Sequence, residues 1–93
     1  MIVGLIEVEL YIKEAITLKD KRAVVKSLVE KTKAKFNVSV AQVGFLENRQ
    51  RATLGMAFVS NEVGHVNSVL DKLESFLEQK SQADIISIRR EVI

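Results

Sequence analysis

Ile6-Glu7-Val8-Glu9-Leu10-Tyr11-Ile12 alternates apolar and polar side chains without a break. Successive side chains of an extended strand point to opposite faces, so one face here is apolar and the other carries Glu7, Glu9 and Tyr11. That is a strand with one buried side. The period then changes. Thr17 with Asp20 three residues on has the form of a capping box, the acid standing in for the usual Glu. Val25, Leu28, Val29, Thr32 and Phe36 follow at three- and four-residue steps, the core stripe of an amphipathic helix. Asn37 tolerates the left-handed conformation and is expected to end it.

The same two periods repeat along the chain. Val38 to Val43 is rich in β-branched residues and reads as a second strand. Gly44 to Gln50 is a connecting loop, and Ala52 to Val59 is a third strand. Asn61 is the expected N-cap of a second helix with Val63, Val66, Leu70, Leu73 and Leu77 as its stripe. Ala83 to Val92 is the last strand, with Arg89 expected on the open face beside Glu7 or Glu9. The order is βαββαβ over residues 1–93, one domain. Two right-handed β-α-β units interleave most simply into a four-stranded antiparallel sheet in the order 4-1-3-2, with both helices on one face. The expected fold is an α+β, ferredoxin-like two-layer sandwich.

One parity is ambiguous. In the third strand Leu54, Met56 and Phe58 form one apolar set and Gly55, Ala57 and Val59 another. Small residues allow helices to approach a central strand closely, so the small set is expected inside. Met56 and Phe58 are then placed on the open face, where an apolar strip suits self-association. Gly55-Met56-Ala57-Phe58-Val59 also has a weak likeness to the third-strand motif of RNA-recognition domains. Glu7 and Glu9 oppose that use of the face.

Composition excludes several classes. With no Cys there is no disulfide, thiolate metal site or Cys nucleophile. Met1 to Ile6 is apolar but lacks a basic leader, and Glu7 and Glu9 end the run, so neither signal peptide nor membrane span is expected. A cytoplasmic location follows by default. His65 is the sole His, and the acids do not cluster. Acylphosphatases share this fold and size. They need a Gly-rich phosphate cradle with an Arg where this chain has Lys13-Glu14-Ala15-Ile16. No enzyme activity and no cofactor are expected.

The net charge of +2 hides an asymmetry. Residues 13–51 hold +6, and the segments on either side hold −2 each. At about 100° per residue, with Arg22 as zero, Lys33, Lys26 and Lys19 fall within about 60° of it, beside the core stripe. The column covers about 21 Å of helix. Arg49 and Arg51, flanking the third strand, extend it in sequence. One reading is a surface that tracks RNA phosphates, aided by the helix N-terminus. The other is a solvated face with a Lys26–Glu30 pair at i,i+4.

Thr17-Leu18-Lys19-Asp20-Lys21-Arg22, Val24-Val25-Lys26-Ser27-Leu28 and Phe36-Asn37-Val38-Ser39-Val40-Ala41 resemble the YlxP-like family of small uncharacterised bacterial proteins. Arg51-Ala52-Thr53-Leu54-Gly55 and Val59-Ser60-Asn61 fit the same pattern. The resemblance implies a ferredoxin-like fold and a bacterial source. Family genes often lie beside those of translation and ribosome-maturation factors, which implies RNA or a ribosomal particle as partner. It implies no catalytic residue. With the readings above, the expected roles are RNA or ribosome association through the basic helix, a homo-oligomer formed through the open sheet face or an edge strand, and, third, binding of a small anionic ligand at the N-terminus of the first helix. The loop Gly44-Phe45-Leu46-Glu47-Asn48 departs from the family's pattern in having fewer acidic and aromatic residues.

Overall fold

The computed structural model describes Met1–Ile93. Its elements are β1 (Ile2–Tyr11), α1 (Leu18–Lys35), β2 (Ser39–Gly44), β3 (Arg51–Ser60), α2 (Val63–Lys80) and β4 (Asp84–Val92). The strands form one antiparallel sheet in the order β2-β3-β1-β4. One face is covered by the two helices and the other is open.

β1 follows its alternation. Ile6, Val8 and Leu10 are buried, while Glu7 and Glu9 turn to the open face. Thr17 caps α1: its hydroxyl accepts from the Asp20 amide at 3.1 Å, and the Asp20 carboxylate accepts from the Ile16 and Thr17 amides, each at 3.1 Å. The helix ends at Phe36, in extended conformation, one residue before the expected Asn37. Thr32 is buried because its hydroxyl donates to the Leu28 carbonyl at 2.7 Å, within the helix. α2 begins at Val63, so its N-cap is Glu62, which makes no side-chain cap bond, and not Asn61. The Ser60 hydroxyl instead accepts from the Glu62 amide and shapes the entry.

The parity of β3 is the reverse of the expectation. Ala52, Leu54, Met56 and Phe58 are buried beneath the helices, and Gly55, Ala57 and Val59 face the open side. The close approach is supplied by β1. Gly4 is paired with Phe58, and a Cβ on Gly4 would lie 2.5 Å from the Phe58 ring and 2.9 Å from Val66. The missing side chain of Gly4 is the space that Phe58 fills. Bulk on β3 and a gap on β1 together close the core. Met56 and Phe58 therefore do not form an oligomer interface.

β4 keeps a bulge opposite Glu9–Leu10, where Ile85 pairs with Leu10 and Ser87 with Glu9. Ile86 is the extra residue and is exposed. Beyond the bulge Ile88 packs against the core, Arg89 reaches Glu7 on the open face, and Arg90 reaches Asp71 and Glu74 of α2 at 2.8 and 3.8 Å.

Candidate functional site

The cations of residues 13–51 separate into three environments. The first is the exposed side of α1. Lys19, Arg22, Lys26 and Lys33 are all exposed. Lys26 lies 4.0 Å from Glu30, a long contact between well-exposed side chains. Lys19, Arg22 and Lys33 have no carboxylate within 4.0 Å. The column read from the sequence is thus present and mostly unneutralised. The free N-terminus of the helix is not. The Asp20 carboxylate sits at the helix start and accepts from the two amides that precede α1, and those bonds, first from the Thr17 and Ile16 backbones, hold the Asp20 carboxyl below the usual carboxylate range. A second anion there meets that carboxylate.

The second environment is interior. Lys21 is fully buried. Its ammonium donates to the carbonyls of Phe45 at 2.7 Å, Arg51 at 3.3 Å and Leu46 at 3.4 Å. These close the β2–β3 loop onto the first turn of α1. Phe45 adopts a left-handed φ of 58°, unusual for a residue with a bulky side chain. Its carbonyl accepts from Lys21, from Gln42 Nε2 at 3.4 Å and from the Asn48 amide at 3.2 Å. Burial pushes the Lys21 ammonium below the ordinary lysine range, Arg22 pushes it the same way, and Glu47 opposes both. The signal was available in the sequence. Lys21 stands four residues before Val25, about 100° before Arg22, inside the core stripe.

The third environment is the open sheet face. Arg51 leaves β3 on that side, opposite the helices, and its guanidinium pairs with Glu9. It also lies over the Phe45 ring, 4.6 Å from the centroid. Arg51 is therefore not part of the α1 surface: the sheet separates the two, and Glu9 neutralises it. Arg89 and Glu7 make the parallel pair one step along, as the sequence placed them. Between them lies a shallow hollow of 320 Å³ lined by Glu7, Glu9, Thr53, Ser87 and Arg89. Arg49 is exposed and lines a hollow with Lys13, Ile16 and Gln50. Gln50 Nε2 donates to the Lys13 carbonyl at 3.1 Å, which ties this loop to the residues preceding α1. Arg49 thus joins Lys13 at the Lys19 end of the helix.

His65 is exposed in the first turn of α2, and no three His, Asp or Glu side chains converge. No helix is long and apolar enough to cross a membrane.

Residues 3–90 match the model of a family described as a protein of unknown function (DUF503). The chain belongs to this family. It is 34% identical over 76 residues to the uncharacterized protein YlxP of Bacillus subtilis (strain 168), covering 82% of this chain and 83% of that protein. The stretches from Thr17 to Ala41 that resemble the family lie on the capping box, the buried Lys21, the basic column and the start of β2.

Proposed function

We propose that this family member is a non-enzymatic, RNA-binding accessory protein that acts on the ribosome or its precursors in the cytoplasm, and that the exposed side of α1 is its contact. The observation that carries the reading is the run of free cations. Lys19, Arg22 and Lys33 have no acidic partner, and Lys26 has only a long, solvated one. Exposed cations at this spacing suit a phosphate backbone, whose binding is sequence-tolerant and salt-dependent. Lys13 and Arg49 extend the surface past the helix start; Arg51 is left out of it. The strand order and the two helices on one face are the pattern of a ferredoxin-like sandwich, the label we adopt for the fold.

The test is Arg22→Glu combined with Lys26→Glu. The parent should sediment with ribosomal particles and lose them after RNase, and the double variant should not sediment with them at all. RNA affinity of the parent should fall with salt by a slope of about 0.7 in log K per single-strand phosphate neutralised. A double variant that still sediments with the particles as the parent does means that α1 is not the contact.

A further inference from the structure

The two edges of the sheet are built differently. β4 carries Asp84, Arg89, Arg90 and Glu91, and a bulge breaks its pairing near the start. Charges and bulges are what stop an edge strand from pairing with another chain. β2, the other edge, has no charge and no proline. From Phe36 to Leu46, eleven consecutive residues are uncharged. Its own irregularity lies at Val43 and leaves Ser39–Gln42 in regular register with β3. None of the backbone hydrogen bonds outside the helices and ladders involves Ser39–Gly44. Val43, Phe45 and Leu46 are exposed apolar side chains at the end of this edge. Lys21 fixes the last two by their carbonyls.

We propose that β2 pairs antiparallel with β2 of a second copy across a two-fold axis, joining two four-stranded sheets into one of eight strands. A second copy is the occupant for three reasons. One open edge and one protected edge on each chain close after a single pairing, which gives a dimer and not a filament. Antiparallel pairing sets the end of one strand level with the beginning of the other, so Phe45 and Leu46 of one copy meet the half-buried Phe36 and Val38 of its partner. And the edge presents no charge to repel its own duplicate. Two six-residue strands alone fall short of the roughly 1,200 Å² of a stable interface. Phe45 and Leu46 supply the added apolar area, and Lys21 presents them in fixed geometry. The pairing does not depend on RNA binding. α1 packs over β2, so the dimer also brings two basic columns to one side of the common sheet.

Sedimentation equilibrium and hydrogen exchange test this together. The parent is expected at twice the mass of one chain, dissociating on dilution. Amides of Ser39–Gly44 should exchange more slowly at high concentration than at low, while those of Asp84–Val92 do not change. Ala41→Lys with Val43→Lys, both at exposed positions, should be a monomer with the fold retained by circular dichroism. A parent that stays at the mass of one chain at every concentration overturns the proposal. So does concentration-dependent protection on β4 with none on β2, or a double variant that still dimerises.

Discussion

α1 carries cations on both of its faces, and β3 carries apolar side chains on both of its. The two elements sort them by different rules. On α1 the choice is made by unsatisfied acceptors. The carbonyls of Phe45, Leu46 and Arg51 converge where the β2–β3 loop meets the helix, and a long donor from the first turn reaches all three. Lys21 goes in; its neighbour Arg22 stays out. On β3 the choice is made by volume. Gly4 leaves a gap in the layer beneath α2, and the bulky set of Leu54, Met56 and Phe58 fills the core. A cation is buried for hydrogen bonds that water cannot provide, an apolar side chain for space that must not stay empty.

The largest effect is expected from a charge in the volume-sorted face. Met56→Glu places a carboxylate without a partner among Leu54, Phe58 and the helices. No cooperative thermal transition is expected, because the unpaired charge must regain water. If that variant instead melts as the parent does, Met56 is outside. On the neighbouring strand Leu10→Ala should cost about 2–5 kcal/mol, the range for a buried Leu; a loss under about 1 kcal/mol by denaturant unfolding means that the β1 faces are inverted.

Next comes the acceptor-sorted face. Lys21→Met keeps the stem but removes the ammonium, taking a donor from the Phe45, Leu46 and Arg51 carbonyls, of which Phe45 keeps Gln42 and Asn48. The expected loss is about 1.5–3 kcal/mol, the scale for hydrogen bonds to a charged group. Hydrogen exchange should quicken around Gly44–Gln50. Unchanged exchange in that loop would show that its geometry does not rest on Lys21.

The order of elements was legible because it rests on period alone. Ile6 to Ile12 alternates, Val25 to Thr32 steps by three and four, and Thr17 and Asp20 mark a boundary that the structure keeps. The β3 parity was not legible. Both of its sets are apolar, and the deciding residue, Gly4, lies on another strand, 54 positions before the Phe58 it accommodates. The position of Arg51 follows from that parity: odd-numbered residues of β3 face away from the helices, so a cation adjoining the basic segment in sequence is separated from it by the sheet. Ile86 shares the parity of Ile88 and yet lies outside, because a bulge opposite Glu9–Leu10 resets the alternation of β4. Lys21 was legible in principle, from its place in the stripe. Its charge hid it, since a lysine is rarely buried without acceptors, and those acceptors are main-chain atoms that no side-chain pattern records.

Acid tests the cap of α1. Asp20 is held below the ordinary carboxylate value by the bonds it accepts. Its folded value is thus lower than its unfolded one, and its stabilisation is complete above the unfolded value. That stabilisation is lost as pH falls through the folded value. Asp20→Asn should therefore flatten the acid limb of the stability profile while leaving neutral-pH spectra unchanged. A limb as steep as the parent's would assign the acid sensitivity to other carboxylates.

The smallest effect is expected on the outer side of α1, and it sharpens the contrast with Lys21. Lys26→Ala removes one partner of a 4.0 Å contact whose side chains are 77% and 66% exposed. Exposed i,i+4 pairs contribute about 0.3–0.5 kcal/mol, and alanine recovers part of that through its higher helix propensity. Arg22→Ala removes a cation with no carboxylate near it, so the only loss is helical side-chain packing against solvent. Each change should leave stability within about 0.5 kcal/mol of the parent. Arg22 and Lys26 are i,i+4 neighbours of like charge, so the double change should depart from the sum of the single ones by about 0.2–0.5 kcal/mol, the size of their repulsion. Denaturant melts of the single and double variants check this beside Lys21→Met under one set of conditions. Equal losses at positions 21, 22 and 26 would mean that α1 does not distinguish its two faces by acceptors. Near-zero losses at 22 and 26 mean that their charges do not serve the fold.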